Sequence, residues 1–270
     1  MIVELFGPSG VGKTTLSHAL GFALRDYGYP VKLVSSARPS EQFANGRPDS
    51  SLVRFRARLG RVMKVAGAGA AVFPWSKESP VEAALMSMLM TQSLSIRVRY
   101  RRYLSSMSRL WADARSLDRI TIFDQGYLSA LCSVVCRNSA LRPIMRDALD
   151  RLPKADIIIC VDASESVIEA RLRSRLSQLG RIERLLELDI STTLRQVPIA
   201  AEMRSELARR KEVALIYCSG SGLPPSVAQA IVDQIEALPS VQYLLPKEEG
   251  YQEPSRAPEN RELHDLFVCH

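Results

Sequence analysis

Five short apolar runs punctuate this chain, and the stretches between them repeat apolar positions every three or four residues. The runs are Ile2–Phe6, Val31–Ser35, Ile120–Phe123, Asp156–Val161 and Val213–Tyr217. Each is nearly continuous rather than alternating, which predicts strands covered on both faces. Only Glu4 interrupts the first one. The intervening periodicity predicts helices over about 16–27, 80–117, 127–150, 164–212 (broken) and 224–238. Strands that alternate with helices predict an α/β, three-layer fold with a parallel sheet wrapped by helices. Ligands of such folds bind beyond the carboxyl ends of the strands. Asp124, Asp162 and the loop 219–222 all fall at those ends.

Composition narrows the class. Of 270 residues, 46% are hydrophobic and 24% are charged. That supports a large core and excludes a mostly disordered chain, a collagen-like repeat and a disulfide-stapled miniprotein. The longest apolar stretch, Val65–Trp75, is 11 residues and rich in Gly and Ala. It is too short to cross a bilayer, which takes about 20 residues. The amino end lacks the basic start of a secretory signal. A soluble, cytoplasmic protein without membrane partners is therefore expected. The net charge is +7, and arginine far outnumbers lysine. Arginine's planar fork suits phosphate and carboxylate oxygens. The five cysteines follow no metal-ligand spacing, so reduced structural thiols are expected.

The densest chemistry lies near the amino end. Gly7-Pro8-Ser9-Gly10-Val11-Gly12-Lys13-Thr14, followed by Thr15, reads G-x-x-x-x-G-K-[ST] between a strand and a helix. In such a loop the glycines permit a tight turn whose N–H groups converge on phosphate oxygens. Lys13 reaches the outer phosphates, Thr14 offers a hydroxyl to Mg²⁺, and the helix N-terminus adds positive charge. The cofactors implied are ATP and Mg²⁺. The chain has no N-K-x-D guanine-reading motif and no L-S-G-G-Q signature. Its middle strand ends Phe123-Asp124-Gln125, without the Glu that many hydrolytic ATPases use to polarise water. Transfer to a substrate is thus favoured over hydrolysis. A further arginine group, Arg171, Arg173 and Arg175, lies on a helix whose start is marked by Ser164-Glu165, and leads through Gly180 to Arg181. Arg171 and Arg175 share a helix face. Mobile cations beside a phosphate loop suit phosphoryl transfer, whose migrating group spreads charge over its oxygens.

These blocks together resemble the thymidylate kinase group of phosphate-loop kinases, over roughly 1–238. The resemblance rests on Gly7 to Thr15, on Ile120–Ser129 with its strand ending in Asp124, and on Asp156–Asp162 continuing through Arg171-Leu172-Arg173-Ser174-Arg175 to Arg181-Ile182-Glu183. It implies a five-stranded parallel sheet of order 2-3-1-4-5. The implied roles are Lys13 bridging donor and transferred phosphates, and Thr14 and Asp124 at the metal. Arg171, Arg175 and Arg181 would act as lid cations within 171–183. Ser219, Gly220 and Ser221 would pass beside the adenine. The connection 38–80 would be a substrate-side insertion, and the Pro- and Glu-rich 239–270 a tail. The chain departs from the group's pattern at Phe6, Ser9 and Gln125, where Glu, Asp and Arg are usual.

The expected activity is therefore ATP-dependent phosphotransfer to a small acceptor, a nucleoside monophosphate or a nucleoside. Two alternatives stay open: a kinase acting on a non-nucleotide acceptor, and a nucleotide-binding regulatory ATPase without kinase turnover. The cluster Arg97, Arg99, Arg101 and Arg102 is read first as a solvated helix surface, and nucleic acid is not expected as a partner. A homodimer is compatible with the reading.

Overall fold

The computed structural model describes residues 1–35, 80–178, 190–210, 213–219 and 225–238. The basic 51–77 segment and the rest of the 38–80 connection before Pro80, Arg181, Gly220, Ser221 and the tail from 239 lie outside the described residues.

All five apolar runs are strands: β1 (Ile2–Phe6), β2 (Val31–Val34), β3 (Ile120–Phe123), β4 (Ile157–Asp162) and β5 (Ala214–Ser219). They form one parallel sheet of order β2-β3-β1-β4-β5, as the resemblance implies. The helices are α1 (Lys13–Asp26), α2 (Pro80–Ser87), α3 (Leu94–Ser116), α4 (Tyr127–Arg137), α5 (Met145–Arg151), α6 (Glu165–Gln178), α7 (Ile190–Leu194), α8 (Gln196–Arg210) and α9 (Pro225–Glu236).

Side chains alternate along each strand, so the two sheet faces feed two separate cores. Val3 and Leu5 join Ile120, Ile122, Ile157, Ile159 and Ile216 beneath α1, α6 and α9. Ile2 and Phe6 join Phe123, Ile158 and Cys160 beneath α2–α5 and α8. Trp111 anchors the second core, with ring centroids 4.8 Å from Phe123 and 5.1 Å from Tyr127. Leu85, Met88 and Leu89 are buried in this core, and Met90 faces out.

Two predicted helices are divided. The 80–117 helix breaks at 88–93, where three-residue turns (Leu89 N–H to Met86 O, Gln92 N–H to Leu89 O) replace the helical pattern before Ser93 opens α3. The 127–150 helix stops at Arg137. Asn138 then accepts a hydrogen bond from Ala140 N through its side chain, and Pro143 follows before α5. Both interruptions are turn chemistry set inside an otherwise helical periodicity. Asp156, placed in the fourth run by its sequence, instead closes the sheet's amino-terminal edge. Its carboxylate accepts from Ile2 N at 2.6 Å and from Arg115 at 2.8 Å.

This topology brings the β1–α1 turn, Asp124 after β3, Asp162 at the end of β4 and Ser219 at the end of β5 to one edge of the sheet.

Candidate functional site

The β1–α1 loop is shaped by two constraints. Gly10 and Gly12 hold φ of 84° and 107°, a region that disfavours residues with a Cβ. Gly7 is needed for room as well, since a Cβ there would lie 2.2 Å from the Val161 carbonyl oxygen. The loop is thereby pressed onto β4, and α1 starts directly from Gly12 with no acidic residue in its first turn. Its free N–H groups and dipole favour an anion.

Lys13 is buried. Its ammonium donates to the carbonyls of Gly7 at 2.7 Å and Pro8 at 2.8 Å, so the cation is held within the loop. The Thr14 hydroxyl donates to Asp124 Oδ2 at 3.1 Å, and Asp124 is itself almost fully buried. The structure thus joins the two residues expected at the metal, although 110 positions separate them in sequence. A hydroxyl and a carboxylate are hard oxygen donors, a set that fits Mg²⁺. Thr15 is exposed on the outer side of the same turn.

Helix α6 lies against the loop. Arg171 donates to the Val11 carbonyl at 3.0 Å, and Leu172 packs where a Cβ on Gly10 would stand, 3.1 Å away. Arg175 is half-buried one turn further along α6. Arg173 faces solvent and pairs with Glu169 at 2.7 Å, an ordinary i, i+4 surface pair. At the sheet's far end, Ser219 borders a hollow with Asp162, Ala163 and Ser164, and Arg204 of α8 holds Asp162 at 2.6 Å.

Opposite the loop lies a cavity of about 290 Å³. Gly7, Ser9 and Lys13 form one wall. The others come from α3 (Arg99, Tyr100, Tyr103), from the β3–α4 junction and α4 (Gln125, Ser129, Ala130, Cys132, Ser133, Arg137), and from Gln196 of α8. Among the described residues no carboxylate lines it, whereas Lys13, Arg99 and Arg137 do. The Arg137 guanidinium sits 5.8 Å from the centre of the Tyr100 ring, a cation–π contact that steadies both. Arg99 borders the cavity while its side chain stays exposed, in keeping with the solvated-surface reading of its cluster. The Tyr103 hydroxyl donates to the Gln125 and Gly126 carbonyls at 3.5 and 3.4 Å, and burial holds its phenol protonated. Burial also pushes the Cys132 thiol up to about 12, which leaves it un-ionised and a poor nucleophile at neutral pH. Cys132 and Cys136 are free thiols, and no cluster of three or more metal-ligating side chains occurs among the described residues.

Glu4 is the buried group that sequence reasoning did not place. It projects from β1 into the second core, and its Oε1 accepts from Leu128 N at 2.8 Å in the first turn of α4. Gly126 packs over it so closely that a Cβ would fall 2.4 Å from the carboxyl carbon. Burial raises its pKa from 4.5 to about 8, against the opposing pull of hydrogen bonds from Leu128 and Ser129 N–H. The carboxyl is thus a neutral strut under the junction that carries Asp124 and Gln125. Its signal in the sequence was one charged residue inside an apolar strand. Gln196, Tyr103 and Arg137 gave no comparable signal, because nothing local marks a helical residue as facing a cavity.

Among the described residues no helix is long and apolar enough to cross a membrane. No family model matches the chain, and no curated protein matches it. Among solved structures, the chain is similar in fold to deoxyadenosine kinase from M. mycoides with the products dCMP and a flexible dCDP bound. The TM-score is 0.50 and the identity 15%, covering 88% of this chain and 100% of that one. The same enzyme with bound dATP gives a TM-score of 0.49 at 14% identity and equal coverage.

Proposed function

We propose that this chain is an ATP-dependent phosphotransferase that moves the terminal phosphate to a nucleoside monophosphate. The carrying observation is a shared wall: Gly7, Ser9 and Lys13 belong at once to the phosphate loop and to the cation-lined cavity opposite it. A donor held in the loop would present its last phosphate to whatever fills the cavity.

The roles follow from position. Loop N–H groups and the α1 terminus bind donor phosphates. Lys13, released from the Gly7 and Pro8 carbonyls, moves with the outer phosphate and offsets its developing charge. Thr14 and Asp124 would hold Mg²⁺, which when bound neutralises phosphate oxygens and orients them for in-line displacement. Arg171 and Arg175 stand on the helix that covers the loop and lead toward Arg181, which we assign to the same closing segment. Ser219, with Gly220 and Ser221 following it, borders the place for the donor base.

The acceptor side favours an anion. Arg99 and Arg137 offer two guanidinium forks, and among the described residues no carboxylate lines the cavity to take a proton from a hydroxyl. A monophosphate oxygen is already ionised and needs no such base. Tyr100 and Tyr103 supply flat apolar faces for a ring. A nucleoside acceptor is the second reading, favoured by the fold shared with a deoxyadenosine kinase.

The purified full chain with labelled ATP, Mg²⁺ and a panel of nucleoside monophosphates and nucleosides tests this. Label appearing in nucleoside diphosphates supports the first reading. Label appearing in monophosphates made from nucleosides replaces it with the second. ATP binding without transfer to any acceptor rejects both.

A further inference from the structure

We infer that Gln196 contacts the transferred phosphoryl group, a role that rests on the phosphotransfer reading above. Gln196 opens α8 and is almost fully buried, and its Oε1 accepts a hydrogen bond from the Ser9 backbone N–H at 3.3 Å. The pair joins residues 187 positions apart. A backbone N–H can only donate, so the partner atom on the amide must be its oxygen.

The location gives the contact its meaning. Of the loop residues, Gly7, Ser9 and Lys13 reach the acceptor cavity, and Gln196 lines that same cavity. Ser9 N–H therefore stands where donor cradle and acceptor cavity meet, which is the path of the migrating group. A side-chain oxygen now occupies a donor that the loop would otherwise turn toward phosphate. Gln196 thus imitates one phosphoryl oxygen.

A real phosphoryl oxygen arriving at Ser9 N–H would face the amide oxygen, and the two acceptors repel. Rotating the terminal amide by half a turn removes the conflict. The NH₂ group then donates to the phosphoryl oxygen that has taken its place at Ser9. The same side chain acts as stand-in before the triphosphate binds and as donor afterwards. The amide transfers no proton: the bond from the terminal phosphorus to its bridging oxygen breaks, one to an acceptor oxygen forms, and Gln196 contributes hydrogen bonds to the charge carried between them. A diphosphate lacks the group in question, so Gln196 would distinguish ATP from ADP.

Calorimetry with a non-hydrolysable ATP analogue and with ADP, each with Mg²⁺, tests the assignment on the full chain. Gln196→Glu keeps an acceptor for Ser9 N–H but adds a charge that cannot donate. It is expected to weaken the triphosphate analogue at least about tenfold and ADP less than about threefold. Gln196→Leu removes both functions and should lower kcat about tenfold while ADP affinity holds. Equal losses for both nucleotides would mean that Gln196 merely props the loop, and unchanged affinities with unchanged kcat would remove any role; either overturns the inference. If Gln196→Glu melts early, the kcat and the ATP-to-ADP affinity ratio of Gln196→Leu decide. A parent chain that binds neither nucleotide would instead sink the phosphotransfer reading itself, and the inference with it.

Discussion

The phosphate loop and the cavity facing it share three residues, yet they are built in opposite ways. The loop is eight consecutive positions whose chemistry is mostly backbone: N–H groups, glycine conformations and a helix end. The cavity gathers side chains from α3, α4 and α8, across about a hundred positions of chain. Backbone chemistry constrains which residues can stand at a position, so a contiguous pattern announces it. Side-chain chemistry on helices leaves no such imprint, because any polar residue is tolerated on a helix face. Under the proposed phosphotransfer reading, the donor half of the site is therefore readable from sequence, and the acceptor half has to be seen.

The sharpest way to break this contrast is at its shared wall. Lys13→Ala removes the cation common to both halves and should cut turnover by about 10³-fold or more. The side chain bonds backbone carbonyls of its own loop, so far-UV circular dichroism should stay parental. Near-normal turnover would strip Lys13 of its assigned role. Asp124→Asn comes next. The amide keeps an oxygen for the Thr14 hydroxyl but loses the charge, so transfer should fall by roughly 10²-fold. ATP affinity should fall far less. Parallel losses in rate and affinity would place Asp124 in donor binding alone.

The same contrast explains what was legible. Strands β1, β3 and β4 were visible because they are buried on both faces and so read as nearly unbroken apolar runs, and the partly buried outer strands β2 and β5 carry apolar runs of the same kind. Their order follows once the chain is placed beside phosphate-loop kinases, and the sheet bears it out. The helix breaks after Ser87 and Arg137 were hidden, since short turns did not disturb the surrounding periodicity. Within the site, Thr14 bonds Asp124, Lys13 bonds the loop's own carbonyls, and Arg171 reaches the loop at Val11. Arg99 is exposed, as the solvated-surface reading of its cluster expects, and it borders the cavity as well. A run of arginines on one helix points in several directions, and nothing local in the sequence says which of them borders the cavity.

Smaller effects sharpen the acceptor half. Arg137→Ala removes one guanidinium and the partner of the Tyr100 ring, and Arg99→Ala removes the other fork. Each should raise KM for a monophosphate acceptor roughly tenfold and leave ATP affinity unchanged. With a nucleoside acceptor neither change should matter. The pair of measurements thus separates the two acceptor classes by residue as well as by product.

The finest test concerns the strut beneath both halves. Glu4 titrates at about 8 in the fold against an ordinary 4.5, because burial penalises its charged form. Between those values the folded chain holds a proton that the unfolded chain has released. Stability should then fall as pH rises through the window, on the order of 1.4 kcal/mol per pH unit at most. Above about 8 both states are ionised and the penalty is constant; below 4.5 both are neutral and it vanishes. Glu4→Gln keeps an acceptor for Leu128 N–H and carries no charge. Its stability advantage over the parent should therefore be absent in acid, grow from about pH 5 to 8, and level off. Urea unfolding at pH 5, 6, 7 and 8 reads this as a widening gap between the two midpoints. Midpoints that move in parallel would mean that Glu4 is solvated or paired in the fold. The β3–α4 junction, with Asp124 on one side and Gln125 on the other, would then owe its position to Gly126 and Tyr103 rather than to a neutral carboxyl beneath them.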